Sequence, residues 1–339
     1  MSSQEQVRCP RCGQMVMASA MEAHQRVFCT GRTSAPTMRA VLPVAASEVD
    51  DLLAQAGVGA DDPLPVPVEE RFWVSPRHSS TLERVAALSE LGEVSNVMLL
   101  GPAGCGKTTL PRQFAATQKR PFYEVHCGSL VDVEQWFGKD RLVDGETRYR
   151  KSRLVKALET PRCVILLDEI NRAHPELLNG IFGLLDWRRS IYSDDLGYMI
   201  RVAEGVTFFA TMNEGTDYFG VNPLDSALRD RFPRILRLSY PPRAQEEALL
   251  VAQGVDPEIA GRLASFASQL RQATHPVHVS PRQVLTAAEE VRMGASLREA
   301  AEVTIINRLD DSQDEKQVLE TLQLIDPNPY ADNAAEGEE

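Results

Sequence analysis

Long hydrophobic runs are missing from this 339-residue chain, and that absence sets the first boundary. No apolar stretch approaches the roughly 20 residues that a membrane-spanning helix requires, so no membrane partner is expected. The N-terminal residues are polar and show no signal-peptide pattern, and a cytoplasmic location is therefore expected. Positive charge is also short: 36 Lys and Arg stand against 48 Asp and Glu, a formal net charge of −12. That excludes a protein that grips nucleic acid with its whole surface, while leaving room for a local basic patch. Cysteine is too sparse and too unevenly placed for a disulfide framework. Of the six present, Cys105, Cys127 and Cys163 fall in or beside predicted strands and a glycine-rich loop, where a reduced thiol is the default. The length allows two or three domains with a sizeable core.

What is present is organised around Gly101-Pro102-Ala103-Gly104-Cys105-Gly106-Lys107-Thr108. An apolar run (Val97 to Leu100) precedes it and a helical stretch begins at Thr108. Strand, glycine-rich turn, then Lys-Thr at a helix start is the context of a phosphate-cradling loop. The glycines let backbone N–H groups approach phosphate oxygens, and the helix N-terminus adds donors and partial positive charge. Lys107 would reach the β- and γ-phosphates of a nucleoside triphosphate, Thr108 would ligate Mg²⁺, and Thr109 completes the nucleotide-binding set. Cys105 lies in this electropositive loop, from which a lowered thiol pKa and ready alkylation are expected.

Near the N-terminus, Cys9-Pro10-Arg11-Cys12 is followed by His24 and Cys29. Two ligands on a tight turn, then His and Cys spaced for a short helix, make a tetrahedral C2HC set for structural Zn²⁺. A segment of this size has too little core to fold without such a staple. Arg8, Arg11, Arg26 and Arg32 make residues 1–32 locally basic. Residues 33–69 read as a Pro-rich acidic linker, with one short helix expected from Ser47 to Gly57.

From residue 70 to 240, strands alternate with helices: 96–100, 122–126, 163–167, 206–210 and 235–238. Several strands are continuous apolar runs, as a parallel sheet buried on both faces demands. Cys163 to Glu169 (C-V-I-L-L-D-E) is a buried strand ending in two carboxylates. Asp168 would hold Mg²⁺ and Glu169 would activate the attacking water. Ile191 to Val202 alternates around a turn signal at Asp194-Asp195 and reads as a hairpin.

The phosphate loop, D-E-I-N-R-A and "LLNGIFGLLD", in this order, resemble the AAA+ ATPases of the MoxR type and their dynein-related relatives, the CbbQ/NorQ and CobS-like motors. The resemblance covers about residues 70 to 310. It implies an α/β fold, a three-layer αβα parallel sheet of the P-loop NTPase kind with a C-terminal helical lid. It implies that Asn213, ending V-T-F-F-A-T-M-N, is the sensor that helps hold the lytic water. By the D-R-F match Arg231 would be the arginine finger offered to a neighbouring subunit, with Arg229 its rival. Trp136-Phe137-Gly138 falls where such motors often place a pore-facing loop, although ordinary packing at a helix start is the stronger reading of the tryptophan. The basic run from Lys139 to Lys156 reads either as a helix-2 insert or as a solvated helix face.

After Pro241-Pro242 the chain reads as helical to residue 325, the lid. Ser280-Pro281 is an N-cap followed by proline at the first helical position, which sets Arg282 in the first turn. A cation there opposes the helix dipole, and the resemblance gives Arg282 the role of second sensor on the γ-phosphate. Residues 326–339 are acidic with little apolar content, and disorder is expected. The expectation is a ring-forming ATP hydrolase, a hexamer of identical copies, and the resemblance implies that it remodels a client protein, with a von Willebrand factor A-domain protein as one partner. The alternative is a nucleic-acid-associated ATPase that uses the zinc finger and the basic run.

Overall fold

The computed structural model describes residues 6–8, 15–17, 63–69, 72–132, 134–143, 145–194, 197–213, 224–273 and 275–325. They fall in two compact units, Met1–Ala60 and Asp61–Glu339. In the first unit β1 (Gln6–Arg8) pairs antiparallel with β2 (Met15–Met17). The four expected zinc ligands, the expected helix from Ser47 and the acidic tail lie outside the described residues.

The second unit runs β3 (Leu64–Pro65), α1 (Pro76–Glu90), β4 (Val97–Gly101), α2 (Thr109–Thr117), β5 (Pro121–His126) and α3 (Glu134–Phe137). A hairpin of β6 (Gly138–Val143) and β7 (Glu146–Lys151) follows, then α4 (Arg153–Glu159), β8 (Val164–Asp168), α5 (Pro175–Asn179) and α6 (Phe182–Leu185). The hairpin β9 (Ser190–Ser193) and β10 (Tyr198–Arg201) leads to β11 (Thr207–Asn213), α7 (Ser226–Asp230) and β12 (Arg234–Arg237). The helices α8 (Arg243–Ala252), α9 (Pro257–Gln272), α10 (Pro281–Arg292), α11 (Leu297–Thr304) and α12 (Ser312–Ile325) form the lid.

The main sheet has the order β12-β4-β11-β8-β5-β3. Every pairing is parallel except the antiparallel edge pair β3–β5. Leu64 and Pro65, assigned to the linker by composition, thus belong to the sheet. All of β4 and β8 is buried, which is why their sequences are unbroken apolar runs. Alternate residues feed opposite faces: Val97, Leu99, Val164, Leu166 and Phe209 pack with α1 and α2 residues. Met98, Leu100, Ile165, Leu167 and Phe208 pack with α4 and α6 residues on the other side. The lid has its own apolar cluster centred on Leu263, Phe266, Leu270 and Val284.

Between β5 and β8 the structure decides two readings that the sequence leaves open. The basic run after Gly138 is not a solvated helix face: most of it forms the β6–β7 hairpin, set between α3 and α4. Trp136 does not face a pore. It is 1% exposed, its indole N–H donates to the Leu177 carbonyl at 2.9 Å, and it belongs to the core cluster beneath α5 and α6. An indole pays no desolvation penalty when its N–H is satisfied, so the apolar ring is worth more inside than out. Trp136→Ala should therefore cost about 3–5 kcal/mol of stability, read as a fall in the urea midpoint, whereas a pore-facing residue would lose client-dependent activity at unchanged stability.

Candidate nucleotide-hydrolysis site

A parallel sheet offers ligands the crevice at the carboxyl ends of its strands, beside the strand where the order reverses. Here that strand is β4, flanked by β12 and β11, and the phosphate loop leaves its end. The loop shape depends on glycine at two places. Gly104 has φ +72°, and a Cβ there would lie 2.7 Å from Cβ of Ser280, the N-cap of α10. Gly106 has φ +94°, and a Cβ there would meet the Phe72 ring at 2.6 Å. Neither position has room for a side chain.

Lys107 is buried. Its ammonium donates to the carbonyls of Gly101 at 2.8 Å and Pro102 at 2.7 Å. Burial lowers its pKa, with Cys105, Asp168 and Glu169 acting against that shift. Thr108 donates its hydroxyl to Asp168 Oδ1 at 3.1 Å. The same oxygen accepts from Thr211 Oγ1 at 2.6 Å, and Thr211 in turn accepts the Glu169 backbone N–H at 2.8 Å. Glu169 carries a left-handed backbone, φ 51°, a conformation that costs non-glycine residues about 1–3 kcal/mol and concentrates at functional sites. Its carboxylate is held from both sides: Asn213 Nδ2 lies 3.3 Å from Oε1, and Arg172 Nε lies 2.9 Å from Oε2.

The phosphate loop, Asp168, Glu169, Thr211, Asn213 and Arg282 all line one cavity of about 270 Å³. Ala103, Gly104, Gly106, Lys107, Thr108 and Thr109 are the loop residues at its wall. Thr108 and Asp168 supply hard oxygen donors 3.1 Å apart at the loop's end, a donor set that fits Mg²⁺. A second, more apolar cavity of about 330 Å³ opens between sheet and lid. Phe72, Val74 and His78 line it from before and within α1, Leu110 from α2, and Leu249 and Leu285 from the lid. Cys105 and Arg282 also border it. The volume and lining suit a nucleoside.

Sequence reasoning missed Thr211, Arg172 and the apolar cavity. Thr211 stands two positions before Asn213 and so on the same face of β11, a signal that period-2 reading could have used. Arg172 follows Glu169 by one turn in D-E-I-N-R. The cavity is assembled from three distant segments and has no local signal. Beside the site, His126 Nδ1 is 3.6 Å from Asp168 Oδ2 and its Nε2 3.7 Å from Glu124 Oε1. Burial is the first cause that raises the Glu124 pKa.

The two arginines at the C-terminal end of α7, Arg229 within it and Arg231 as its C-cap, are not among the residues lining the cavity. The Arg231 guanidinium lies 4.7 Å from the Phe182 ring centroid, donates to the Ala227 carbonyl at 2.6 Å and sits 3.7 Å from Asp186 Oδ2. Arg229 is exposed in the last turn of α7.

Residues 96–232 match the model of the AAA domain of the dynein-related subfamily, and residues 246–325 match the CbbQ/NirQ/NorQ C-terminal model. A protein of Thauera aromatica named "Putative chaperone BssE" is 36% identical over 275 residues, covering 80% of this chain and 91% of that protein. The chain belongs to the dynein-related AAA family, CbbQ/NirQ/NorQ branch. As a member of this family it is an ATP hydrolase of the AAA+, MoxR-like type. An uncharacterized protein of Staphylococcus epidermidis is 27% identical over 256 residues, covering 72% of this chain and 95% of that one. The AAA domain of FIGL-1, solved in complex with ADP, shares the fold with a TM-score of 0.51 at 18% identity. It covers 82% of this chain and 97% of that domain. Among the described residues no helix is long and apolar enough to cross a membrane.

One expectation about this AAA+ loop is reversed. The Cys105 thiol pKa is raised, not lowered, because burial outweighs the Lys107 charge and the backbone hydrogen bonds. Iodoacetamide should therefore label Cys105 no faster at neutral pH than an ordinary exposed thiol, measured by mass spectrometry of the full chain without nucleotide.

Proposed function

We propose that this AAA+ chain hydrolyses ATP at the junction between copies arranged as a ring, and uses the turnover to remodel a client protein. The observation that carries the reading is the division of labour around the 270 Å³ cavity. Lys107, Thr108, Asp168, Glu169, Asn213 and Arg282 converge on it from one chain, while the α7 arginines stand elsewhere. Thr108 and Asp168 would hold Mg²⁺, which when bound would offset charge on the β- and γ-phosphate oxygens. Lys107 and Arg282 would neutralise the phosphates from the core and from the lid. Glu169 would take the proton of a water that the Asn213 amide helps hold beside it, which requires its carboxylate to leave Arg172.

The finger arginine would come from the neighbouring copy. Arg231 fits the family wording, yet it is already engaged with Phe182, Ala227 and Asp186. Arg229 could reach a neighbour without giving up those contacts. A planar guanidinium from either would suit charge developing on the transferred phosphoryl group.

The protein client is supported by the chaperone description of the Thauera relative. A nucleic-acid partner is the second reading, supported by the register of the β6–β7 hairpin. That hairpin is rich in Lys and Arg, and its register sets Lys139 opposite Arg150 and Arg141 opposite Arg148, a local basic stretch in an acidic chain. For the N-terminal unit the proposal is a structural zinc finger: Cys9 and Cys12 fall in sequence between β1 and β2, with His24 and Cys29 completing four ligands. Metal analysis of the purified chain should give one zinc per chain, lost in Cys9→Ser/Cys12→Ser; a zinc-free chain would remove the finger.

Glu169→Gln tests the central reading. Turnover should fall about 10²-fold or more while nucleotide binding and assembly persist, and undiminished turnover would take Glu169 out of the role. Affinity capture on this variant with ATP should retain a polypeptide; retained nucleic acid would favour the second reading. Arg229→Ala should also abolish turnover at intact nucleotide binding, and the same result from Arg231→Ala alone would return the finger to Arg231.

A further inference from the structure

Tyr240 stands where the sheet ends and the lid begins, just before Pro241-Pro242. Its hydroxyl and its ring serve different elements. The hydroxyl donates to the Ala103 carbonyl of the phosphate loop at 3.0 Å. The ring lies under the Arg271 guanidinium, whose carbon is 4.5 Å from the ring centroid. Arg271, in the last turn of α9, donates to both carboxylate oxygens of Glu246 on α8, at 2.8 and 2.9 Å. Its Nε donates to the Val279 carbonyl at 2.6 Å. Val279 precedes Ser280, the cap of the helix that carries Arg282. The side chains of Glu246 and Arg271 are 3% and 11% exposed, so the lid is locked internally around this pair, and removing either partner would strand the other.

We propose that Tyr240 and Arg271 are positioning residues for nucleotide binding and hydrolysis, a strut that ties one peptide of the phosphate loop to the position of the lid. The peptide group is planar, with its C=O and the following N–H pointing in opposite directions. Holding the Ala103 carbonyl on Tyr240 therefore fixes the direction of the Gly104 N–H, and Gly104 lines the phosphate cavity. Gly104 also lies against Ser280, where a Cβ would approach to 2.7 Å. Loop and lid thus meet twice within two residues, once through a hydrogen bond and once through contact. A lid that shifts carries Arg271 with it, moves the Tyr240 ring and releases or re-aims the loop donor. Arg282 lines the phosphate cavity from the same lid, so the strut links the lid's setting to the loop that would receive the phosphates. The proposal rests on Gly101 to Thr108 being the nucleotide loop, and it stands whether or not the ring and client readings hold.

The test is equilibrium binding of ATP and ADP to the full chain, with steady-state turnover alongside, for Tyr240→Phe, Arg271→Lys and the double variant. Tyr240→Phe keeps the ring and loses one hydrogen bond, and nucleotide binding should weaken about five-fold with the thermal midpoint unchanged. Arg271→Lys keeps the charge but loses the fork and the stacking, and should weaken binding in the same way. Because both break one path, the double variant should be no weaker than the worse single variant. Tyr240→Phe that binds nucleotide like the unaltered chain overturns the strut, and so do single effects that multiply in the double. Should Arg271→Lys fail to fold, Tyr240→Leu takes its place. Removing ring and hydroxyl together should cost more affinity than Phe, and equality of Leu with Phe overturns the link to Arg271. An unaltered chain that binds no nucleotide would sink the loop assignment instead.

Discussion

One threonine hydroxyl holds the two halves of the hydrolysis site in register. Thr211, on the strand next to β8, donates to Asp168 and accepts the backbone N–H of Glu169. β8 ends where its backbone turns left-handed at Glu169, and that turn sends two consecutive carboxylates in different directions. Asp168 is committed to Thr108 and the phosphate loop, whereas Glu169 faces Asn213 and Arg172. Without a partner for the Glu169 N–H the strained turn would leave a backbone donor unsatisfied at a half-buried position, which costs about 1–3 kcal/mol. The chemistry at the strand ends therefore depends on a cross-strand bond between side chain and backbone, placed by the parallel β8–β11 register.

The burial of the sheet explains why this end carries all the polar function. With β4 and β8 buried throughout, charged groups have nowhere to sit except at the strand ends or against matched partners. Arg120 illustrates the second solution. It is fully buried and satisfies its guanidinium on the Arg162 and Gly205 carbonyls and the Ser89 and Thr207 hydroxyls. Burial brings its pKa down to about 10, still far above neutrality, so it remains a cation that braces α1, α2 and the approaches to β8 and β11.

Local signals in the chain carried much of this. The phosphate loop, Asp168-Glu169 and the Ser280-Pro281 helix start were legible because each is a contiguous motif whose context is a neighbouring strand or helix, whereas Asn213 and the role of Arg282 were legible only through the order of motifs in the family resemblance. The structure draws them into one cavity. Trp136 was ambiguous because an aromatic beside glycine reads the same in a loop and in a core; only the carbonyl of Leu177, far along the chain, decides it. The basic run defeated periodicity since charges on a two-stranded ribbon and on a helix face look alike over a dozen residues. Cys105 was misread for a different reason. Lys107 does favour its thiolate, but burial acts more strongly, and burial is a tertiary property. The apolar cavity between sheet and lid needs Phe72, Leu110 and Leu285 together, a set no single stretch announces.

The short edge strand has a bearing on how copies of this protein can meet. β3 is two residues long, ends the sheet beyond β5 and contains Pro65, with Pro63 and Pro67 at alternate positions on either side. In an extended segment, alternate residues direct their N–H groups to the same edge, so these prolines strip donors from a single side. An edge this brief and this poor in donors is a weak template for another chain's strand. With one end of the sheet blunted in this way, copies crowded together are steered away from adding edge to edge into a continuous, fibre-like ribbon, which needs both ends of every sheet.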